Sequence, residues 1–444
     1  MSKIQIIGGT PLHGKIRISG AKNSLLPILT ACLMVRGTIR LHDVPKLSDL
    51  TQMLHILAKL GCVINRQNQT IKIDVNELQN HIIDKEAAPK IRGSIFVMGA
   101  MLSRLGKVEL PLPGGCAIGS RPIDLHLTLL RQIGVKCHYR QNTIIASYTP
   151  RRHRKPIILA LDFPSVGATE NIILATALGI TGNVYYIHGA AKEPEIVDLC
   201  NFLNNCGAQI NGAGTDTIII HSVPSLHGTT YTPIPDRINT GSYLIAAAVT
   251  GGDVTLTNVI PTHHINLINK LKNIGAQITT TSDSINIIMN RRTPYSFNIH
   301  TAPYPGFPTD LQSQFCVLTT ITKGCSTITE NLFENRFRYV SELNKLGAQI
   351  TIERNQARIK GVNKLTATLT PTLCPSSYQI PNPQICNGTN LTAHDLRGGV
   401  ALVIAALAAQ GTTTIEQADY IYRGHEDIVK DLRQLGANIV ALDQ

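Results

Sequence analysis

One pattern recurs six times along the chain. A helix-like stretch closes on an aliphatic or cysteine residue, a glycine follows, and a short β-like run begins. The copies are Leu60-Gly61-Cys62-Val63-Ile64, Ile133-Gly134-Val135-Lys136-Cys137, Cys206-Gly207-Ala208-Gln209-Ile210, Ile274-Gly275-Ala276-Gln277-Ile278, Leu346-Gly347-Ala348-Gln349-Ile350 and Leu435-Gly436-Ala437-Asn438-Ile439. Successive glycines lie 73, 73, 68, 72 and 89 residues apart. A recurring period of this kind means that one structural unit has been copied, each copy burying its apolar face against its neighbours. A chain of 444 residues is too long for one hydrophobic core, so the six units are expected to divide into two α/β domains of three.

Each copy carries the same signals in the same order, and copy four shows them plainly. Asn239-Thr240-Gly241-Ser242 opens a helix through Ala246-Ala247-Ala248, and Gly251-Gly252 stops it. Asp253-Val254-Thr255-Leu256-Thr257 alternates as a half-buried strand, and residues 265–274 read as a second helix. The glycine after each second helix suits a left-handed C-terminal cap. Residues 229–235, with Pro233 and Pro235, read as the crossover between the domains. The long final spacing marks an insertion over about 366–390, whose Pro371, Pro375, Pro381 and Pro383 predict an irregular surface loop.

The helix starts are the functional clue. They read Lys22-Asn23-Ser24, Arg92-Gly93-Ser94, Ser165-Val166-Gly167-Ala168-Thr169, Asn239-Thr240-Gly241, Thr309-Asp310 and Asp395-Leu396-Arg397-Gly398. Helix N-termini present unpaired N–H groups and partial positive charge, which favour anions. Ordinary capping explains the hydroxyls and Asn. It does not explain Lys22, Arg92 and Arg397 at equivalent places. Two groups of three such ends are expected to face one cleft.

Charge supports a small anionic ligand over a polynucleotide. The net charge is +12, yet the only dense basic run is Arg151-Arg152-His153-Arg154-Lys155, which reads as a solvated loop. The other arginines stand singly beside glycine-rich turns. No Walker loop and no Gly-x-Gly-x-x-Gly follows a strand, which argues against nucleotide triphosphate or dinucleotide chemistry. The start Met1-Ser2-Lys3-Ile4-Gln5 carries no apolar leader, and the longest apolar run, 400–409, is about half of the ~20 residues a membrane helix needs, so a cytoplasmic protein is expected. Ten cysteines without a Cys-x-x-Cys pair read as reduced thiols, mostly packed in cores. His263 and His264 are adjacent and point different ways on a helix, so no metal site is expected there.

Cys116 stands apart from the other cysteines. Pro111-Leu112-Pro113-Gly114-Gly115-Cys116-Ala117-Ile118-Gly119-Ser120-Arg121-Pro122 is a loop sequence, and Arg121 beside the thiol would stabilise a thiolate or an anion. Asp310, in Phe307-Pro308-Thr309-Asp310, is a helix cap that becomes a base only if a substrate hydroxyl reaches it. Arg336 and Arg423 occupy matching loops of copies five and six, and arginine suits bidentate capture of phosphate or carboxylate.

Taken in order, Ser19-Gly20-Ala21-Lys22-Asn23, the Gly114-to-Pro122 loop, Ser165-Val166-Gly167-Ala168-Thr169-Glu170-Asn171, Phe307-Pro308-Thr309-Asp310, Phe333-Glu334-Asn335-Arg336-Phe337 and Asp395-Leu396-Arg397 resemble the motifs of the UDP-N-acetylglucosamine 1-carboxyvinyltransferases, a family of enolpyruvyl transferases. The resemblance covers nearly the whole chain. It implies two inside-out α/β barrels of three repeats each, with the active site in the cleft between. The domain bounds it implies are 22–232, and 1–21 plus 233–444. The family's activity, the first committed step of peptidoglycan precursor synthesis, moves enolpyruvate from phosphoenolpyruvate to the 3′-hydroxyl of UDP-N-acetylglucosamine and releases phosphate. No cofactor, metal, nucleic acid or membrane partner is implied, and a monomer is expected.

By this resemblance Lys22, Asn23, Arg121 and Arg397 hold phosphoenolpyruvate. Cys116 is the proton donor and Asp310 the base for the sugar hydroxyl, with Lys22 and Arg397 completing the catalytic set. Arg92, Arg121, Pro122, Ile123, Asp124, Leu125, Ser165, Val166, Gly167, Asp310 and Leu332 line the UDP-sugar site. Arg336, Asp395 and Arg423 support the site or its closure. The cysteine at 116 implies sensitivity to thiol-alkylating epoxides such as fosfomycin. The chain departs from the family pattern at Asn239, often Glu in relatives, and at Gly398-Gly399, which replace small Ala/Ser residues and loosen that helix start. Its 366–390 insertion is also longer than usual. Two other readings stand beside this one. A 5-enolpyruvylshikimate-3-phosphate synthase would favour Gly-Ser-Lys-Ser over Gly-Ala-Lys-Asn and has no such cysteine loop. A catalytically silent binding paralogue would bind without turnover.

Overall fold

A computed structural model describes residues 2–75, 77–114, 118–119, 122–289, 295–367 and 388–442. Cys116 and Arg121 lie outside the described residues, as does 368–387 of the insertion.

The repeat resolves into inner and outer helices. The inner set is α1 (Lys22–Ala31), α3 (Phe96–Leu105), α5 (Val166–Ala177), α7 (Arg237–Thr250), α9 (Gln312–Thr320) and α11 (Leu396–Ala408). The outer set is α2 (Ser48–Lys59), α4 (Asp124–Gln132), α6 (Pro194–Asn205), α8 (Ile265–Asn273), α10 (Val340–Lys345) and α12 (Ile428–Gln434). Inner helices are buried nearly all round, and where they bury polar residues, as α9 does with Gln312, Ser313 and Gln314, those residues find partners such as Tyr339, Ser242 and the Arg397 carbonyl. Every residue of α11 from Leu396 to Leu407 is buried. Outer helices carry one apolar stripe; α8 buries Leu267, Ile268 and Leu271 and leaves its lysines outward.

Each inner helix runs beside a sheet whose strands alternate buried and exposed residues. Asp253–Thr257 pairs in parallel with His13–Arg17 on one side and antiparallel with Ser284–Ile288 on the other, which pairs antiparallel with Gln277–Thr280. Four other sheets repeat this order; the sheet of copy two has three strands, with the single Ile82–Glu109 bridge where its parallel neighbour would lie. In copies three, five and six the inner helix is the crossover between two parallel strands, which parallel pairing requires. Helices lie inside and sheets outside, so each half is an α/β barrel turned inside out.

Two separate hydrophobic clusters result. One gathers residues from Leu25 to Leu226; the other gathers Ile4 to Ile18 with Ile238 to Ile439. Helices approach closely in the first: Gly99 of α3 faces Asn171 of α5, where a Cβ would stand 2.3 Å from the Asn171 carbonyl oxygen. Each half closes on itself with a strand from the other end of its segment. Thr230–Tyr231 pairs with Gly37–Leu41, and the N-terminal strand Lys3–Ile7 inserts between Thr412–Glu416 and Asn438–Leu442.

The chain passes between halves twice, at 18–21 and 234–236, and these segments pair. Ala21 N donates to Ile234 O at 2.8 Å and Asp236 N to Ser19 O at 2.9 Å. Asp198 of α6, buried, anchors the second segment and ties it to the first turn of α1: it accepts from Ser24 Oγ, Tyr231 O–H and the Ile234 amide.

The six repeated glycines all have positive φ, from 85° at Gly347 to 110° at Gly61. Their conservation through the copies follows from the left-handed cap that lets the chain turn from helix into strand. Arg151, Arg152, Arg154 and Lys155 are exposed, as the basic run predicts. Cys32, Cys62, Cys200, Cys206 and Cys316 are buried, and burial pushes the Cys62, Cys200 and Cys206 thiols up to about 12. Part of the expected insertion loop is ordered otherwise. Thr366 bridges Gln410, and Gly388–Thr392 is a strand whose register with Thr412–Glu416 fixes residues 388–390. Among the described residues no helix is long and apolar enough to cross a membrane.

Candidate active site

All six inner-helix starts border one cavity of about 490 Å³ between the two cores. The first half contributes Lys22, Asn23, Arg92, Gly93, Ser165 and Val166; the second contributes Arg237, Thr309, Asp310, Leu396 and Arg397. The caps explain how these side chains are left free to project. Ser165 Oγ accepts from the Ala168 amide at 3.3 Å. Asp395 Oδ1 accepts from the Arg397 and Gly398 amides, each at 3.0 Å. Asp236 Oδ1 accepts from the amides of Ile238 and Asn239 at 2.8 and 2.9 Å. Copy four's helix therefore starts at Arg237, two residues before the expected Asn239, and Asn239 Nδ2 donates to Gly424 O at 2.9 Å instead of opening the helix. In α1, Pro27 has no N–H to give the carbonyl of Asn23, so that oxygen at the cavity edge lacks its helical donor.

Two carboxylates organise four cations at one part of the cavity wall. Asp310 meets Arg336 Nη2 at 2.7 Å and Arg397 Nη2 at 3.3 Å, and Asn23 Nδ2 donates to it at 3.4 Å. Arg336 is further fixed by the Thr309 carbonyl at 3.1 Å. Asp49 meets Lys22 Nζ at 3.3 Å and Arg423 Nε at 2.8 Å. Four positive groups against two negative ones leave an excess of positive charge in a site where Lys22, Arg336 and Arg397 are 8%, 2% and 4% exposed. Burial raises the Asp310 carboxyl, but Arg397, Arg336 and Lys22 together outweigh it and hold the group far below the usual carboxylate range. Burial lowers the Lys22 ammonium, and Asp49 works against that. Arg397 Nη1 is buried with no hydrogen-bond partner among the described residues. An unmet buried donor costs about 1–3 kcal/mol, more for a charged group, and a bound anion would remove that cost.

The wall around Glu195, Arg237 and Tyr304 has a different chemistry. Glu195 accepts from Arg237 Nε at 2.9 Å, and the Arg237 guanidinium stands 5.7 Å over the Tyr304 ring. Glu193 accepts from the Tyr304 amide at 3.2 Å. Glu170 lies beside them in α5, and burial, with Glu195 and Glu193 adding to it, pushes its carboxyl well above the usual range. A group held neutral in this way opposes folding once pH exceeds its ordinary pKa, because the unfolded chain then ionises it while the folded protein keeps the proton, and the cost grows until pH reaches the raised native value. Glu170→Gln is therefore expected to be more thermostable than wild type, with the gap in Tm widening from pH 5 to pH 8. A constant gap in thermal melts would refute the neutral state.

Most of the expected site residues meet in this cavity. Lys22, Asn23, Arg92, Pro122, Asp124, Leu125, Ser165, Val166, Gly167, Asp310, Leu332, Arg336, Arg397 and Arg423 border it. Ile123 does not; it packs against the first hydrophobic cluster. Asp395 acts beneath the surface as the cap of α11. Cys116 and Arg121 lie outside the described residues, flanked by Gly114 and by Ile118 and Pro122, of which the last two border the cavity. Sequence reasoning missed Asp49, Glu170, Glu193, Glu195, Arg237 and Tyr304. Glu170 stood inside a quoted motif, and Arg237 one residue from a cap. Asp49 had no signal beyond a first-turn carboxylate on an amphipathic helix.

Comparison with known proteins agrees with this architecture. A family model described as EPSP synthase (3-phosphoshikimate 1-carboxyvinyltransferase) matches residues 6–432. The UDP-N-acetylglucosamine 1-carboxyvinyltransferase 2 of Caldanaerobacter subterraneus subsp. tengcongensis is 44% identical over 444 residues, covering 100% of both chains. The UDP-N-acetylglucosamine 1-carboxyvinyltransferase of Trichormus variabilis is 42% identical, over 99% of this chain and 93% of that one. Among solved structures, the enolpyruvyl transferase NikO from Streptomyces tendae superposes with a TM-score of 0.84 at 23% identity, covering 99% of each chain. Its likeness extends to the two-domain α/β fold. With identities of this size over full length and a family model spanning nearly all of the chain, the protein belongs to the UDP-N-acetylglucosamine 1-carboxyvinyltransferases, within the EPSP synthase family.

Proposed function

We propose that the protein transfers enolpyruvate from phosphoenolpyruvate to the 3′-hydroxyl of UDP-N-acetylglucosamine, releasing phosphate, as the committing step toward peptidoglycan precursors. One observation carries the reading: a cleft bordered by six helix starts, where Lys22, Arg336, Arg397 and Arg423 gather around two carboxylates, in a chain 44% identical to a UDP-N-acetylglucosamine 1-carboxyvinyltransferase. The domains are taken as 22–232, and 1–21 plus 233–444. The protein acts as a cytoplasmic monomer on small-molecule substrates, without a cofactor.

In the addition step the sugar 3′-oxygen bonds to C2 of phosphoenolpyruvate, its proton passes to Asp310, and a proton from Cys116 goes to the methylene carbon C3. In the elimination step C3 gives up a proton, the double bond reforms, and the C2–O bond to phosphate breaks. Positive charge develops at C2 and negative charge on the departing phosphate, so donors fixed in advance at the phosphate contribute most. Lys22, Arg121 and Arg397, with Asn23, hold that group; the unmet Arg397 Nη1 donor is what a phosphate oxygen would satisfy. Arg92, Arg121, Pro122, Asp124, Leu125, Ser165, Val166, Gly167 and Leu332 receive the UDP-sugar, and Ile123, packed against the first core, supports them. Asp310 paired with two arginines is a poor base. It gains basicity only when the substrate anion draws Arg397 away, which ties proton abstraction to the presence of phosphoenolpyruvate.

The test is phosphate release from phosphoenolpyruvate with and without UDP-N-acetylglucosamine, on wild type and Cys116→Ala. Sugar-dependent release that collapses in the variant is expected. Release with shikimate 3-phosphate in place of the nucleotide sugar would move the protein to the sister activity. Release with neither would make it a binding protein.

A further inference from the structure

A phosphate site has no evident use for a carboxylate, yet Asp49 sits among the cations. It is buried in the first turn of α2 and bonds Lys22 Nζ at 3.3 Å, Arg423 Nε at 2.8 Å and Arg423 Nη2 at 3.4 Å. A negative charge touching two cations meant for a dianion repels that dianion, so its presence requires an offsetting gain. The two cations come from opposite halves. Lys22 begins α1 beside the first core, whereas Arg423 ends the turn Ala418–Arg423 of the second. Asp49 is thus a carboxylate through which the first half grips an arginine of the second.

Resting on the function proposed above, we propose that Asp49 is a positioning residue for the phosphate pole, holding Arg423 across the cleft and Lys22 aimed into it until the phosphoryl group of phosphoenolpyruvate takes both over. The groups around Lys22 set what its loss would do. Asp49 and Asp310 favour the ammonium; burial, Arg397 and Arg423 disfavour it. Asp236 accepts from the Lys22 amide at 3.2 Å, and His425, kept neutral by burial beside Arg397 and Lys22, adds no charge. Asp49 is first among the groups that keep the lysine charged in this environment. Without it Lys22 sheds its proton at lower pH and Arg423 loses its partner across the cleft.

Initial rates of phosphate release by full-length wild type, Asp49→Asn and Asp49→Glu test this. Asp49→Asn is expected to raise the KM for phosphoenolpyruvate about 10–100-fold, the range of lost charged hydrogen bonds. The KM for the nucleotide sugar should stay within about twofold, and the alkaline limb of kcat/KM for phosphoenolpyruvate should move to lower pH. Asp49→Glu should recover most of the loss. A carboxylate that merely repels gives the opposite sign: a lower KM in Asp49→Asn would overturn the proposal. So would an unmoved alkaline limb, or a loss of thermal stability with both KM values rising together. If Asp49→Asn does not fold, Asp49→Ser is read in its place: the same rise in the KM for phosphoenolpyruvate is expected, and an unchanged or lower KM would overturn the proposal. Should wild type release no phosphate with this sugar, the function falls, and calorimetric titration of phosphoenolpyruvate into the same variants decides the role of Asp49 alone.

Discussion

Arg397→Met should lower kcat/KM for phosphoenolpyruvate by about 10²–10³-fold, the usual effect of removing one fixed donor from a developing anion. The substitution keeps the aliphatic stem that packs in the start of α11 and removes the guanidinium. Two effects separate it from a simple loss of charge. Nη1 has no acceptor among the described residues and is poised for a ligand oxygen, so its removal acts on the bound state. Nη2 holds Asp310 at 3.3 Å, so its removal leaves that carboxylate with Arg336 as its remaining arginine. The Asp310 carboxyl should then titrate closer to its ordinary range. Because the depressed group stabilises the fold above its unfolded pKa and loses that contribution as pH falls, the variant should show a shallower acid destabilisation than wild type. Arg397→Lys should recover little, since an ammonium cannot serve Asp310 and a phosphate in two directions at once. A fall in kcat/KM of less than about tenfold, in steady-state assays with phosphoenolpyruvate varied, would remove Arg397 from the phosphate pole.

Asp198→Ala should be the most destabilising single change outside the site. It strands the buried Ser24 Oγ and the half-buried Ile234 amide, while Tyr231 O–H keeps the Asp198 carbonyl oxygen at 3.2 Å. Each costs about 1–3 kcal/mol when left unpaired. Part is returned because burial already disfavours the Asp198 carboxylate, so a net loss of about 2–4 kcal/mol is expected. At roughly 2–4 °C per kcal/mol for domains of this size, Tm should drop by about 4–16 °C. Ser24→Ala removes one donor with its bond and should cost about 1 kcal/mol. A Tm within about 3 °C of wild type for Asp198→Ala, by calorimetry, would show that the crossing segments do not depend on this anchor.

The sequence made the repeat legible because glycine is required at each left-handed cap, and six positive φ values at Gly61, Gly134, Gly207, Gly275, Gly347 and Gly436 bear that out. It also located the helix starts, since capping chemistry is local. What it could not show was pairing across the chain. Asp49 and Arg423 are 374 residues apart, and nothing in either neighbourhood announces the other. Arg237 was overlooked because the cap was placed at Asn239; Asp236, one residue upstream of Arg237, proved the stronger acceptor. The acidic group of Glu170, Glu193 and Glu195 was hidden for another reason. Glu193 and Glu195 open α6 and look like first-turn carboxylates, and only the fold reveals that they face Glu170, Arg237 and Tyr304.

The strand Lys3–Ile7 lies between two strands from the far end of the chain, with Lys3 opposite both Glu416 and Leu442. During synthesis the first core can assemble as soon as residue 231 supplies its closing strand, whereas the second holds an open seam until the final strand has left the ribosome. At ~5–20 residues per second, the opening strand waits on the order of tens of seconds for its partners. Throughout that interval its edges are unpaired, and Lys3 and Gln5, alternating with Ile4 and Ile6, are the polar residues that keep such an edge from recruiting another chain.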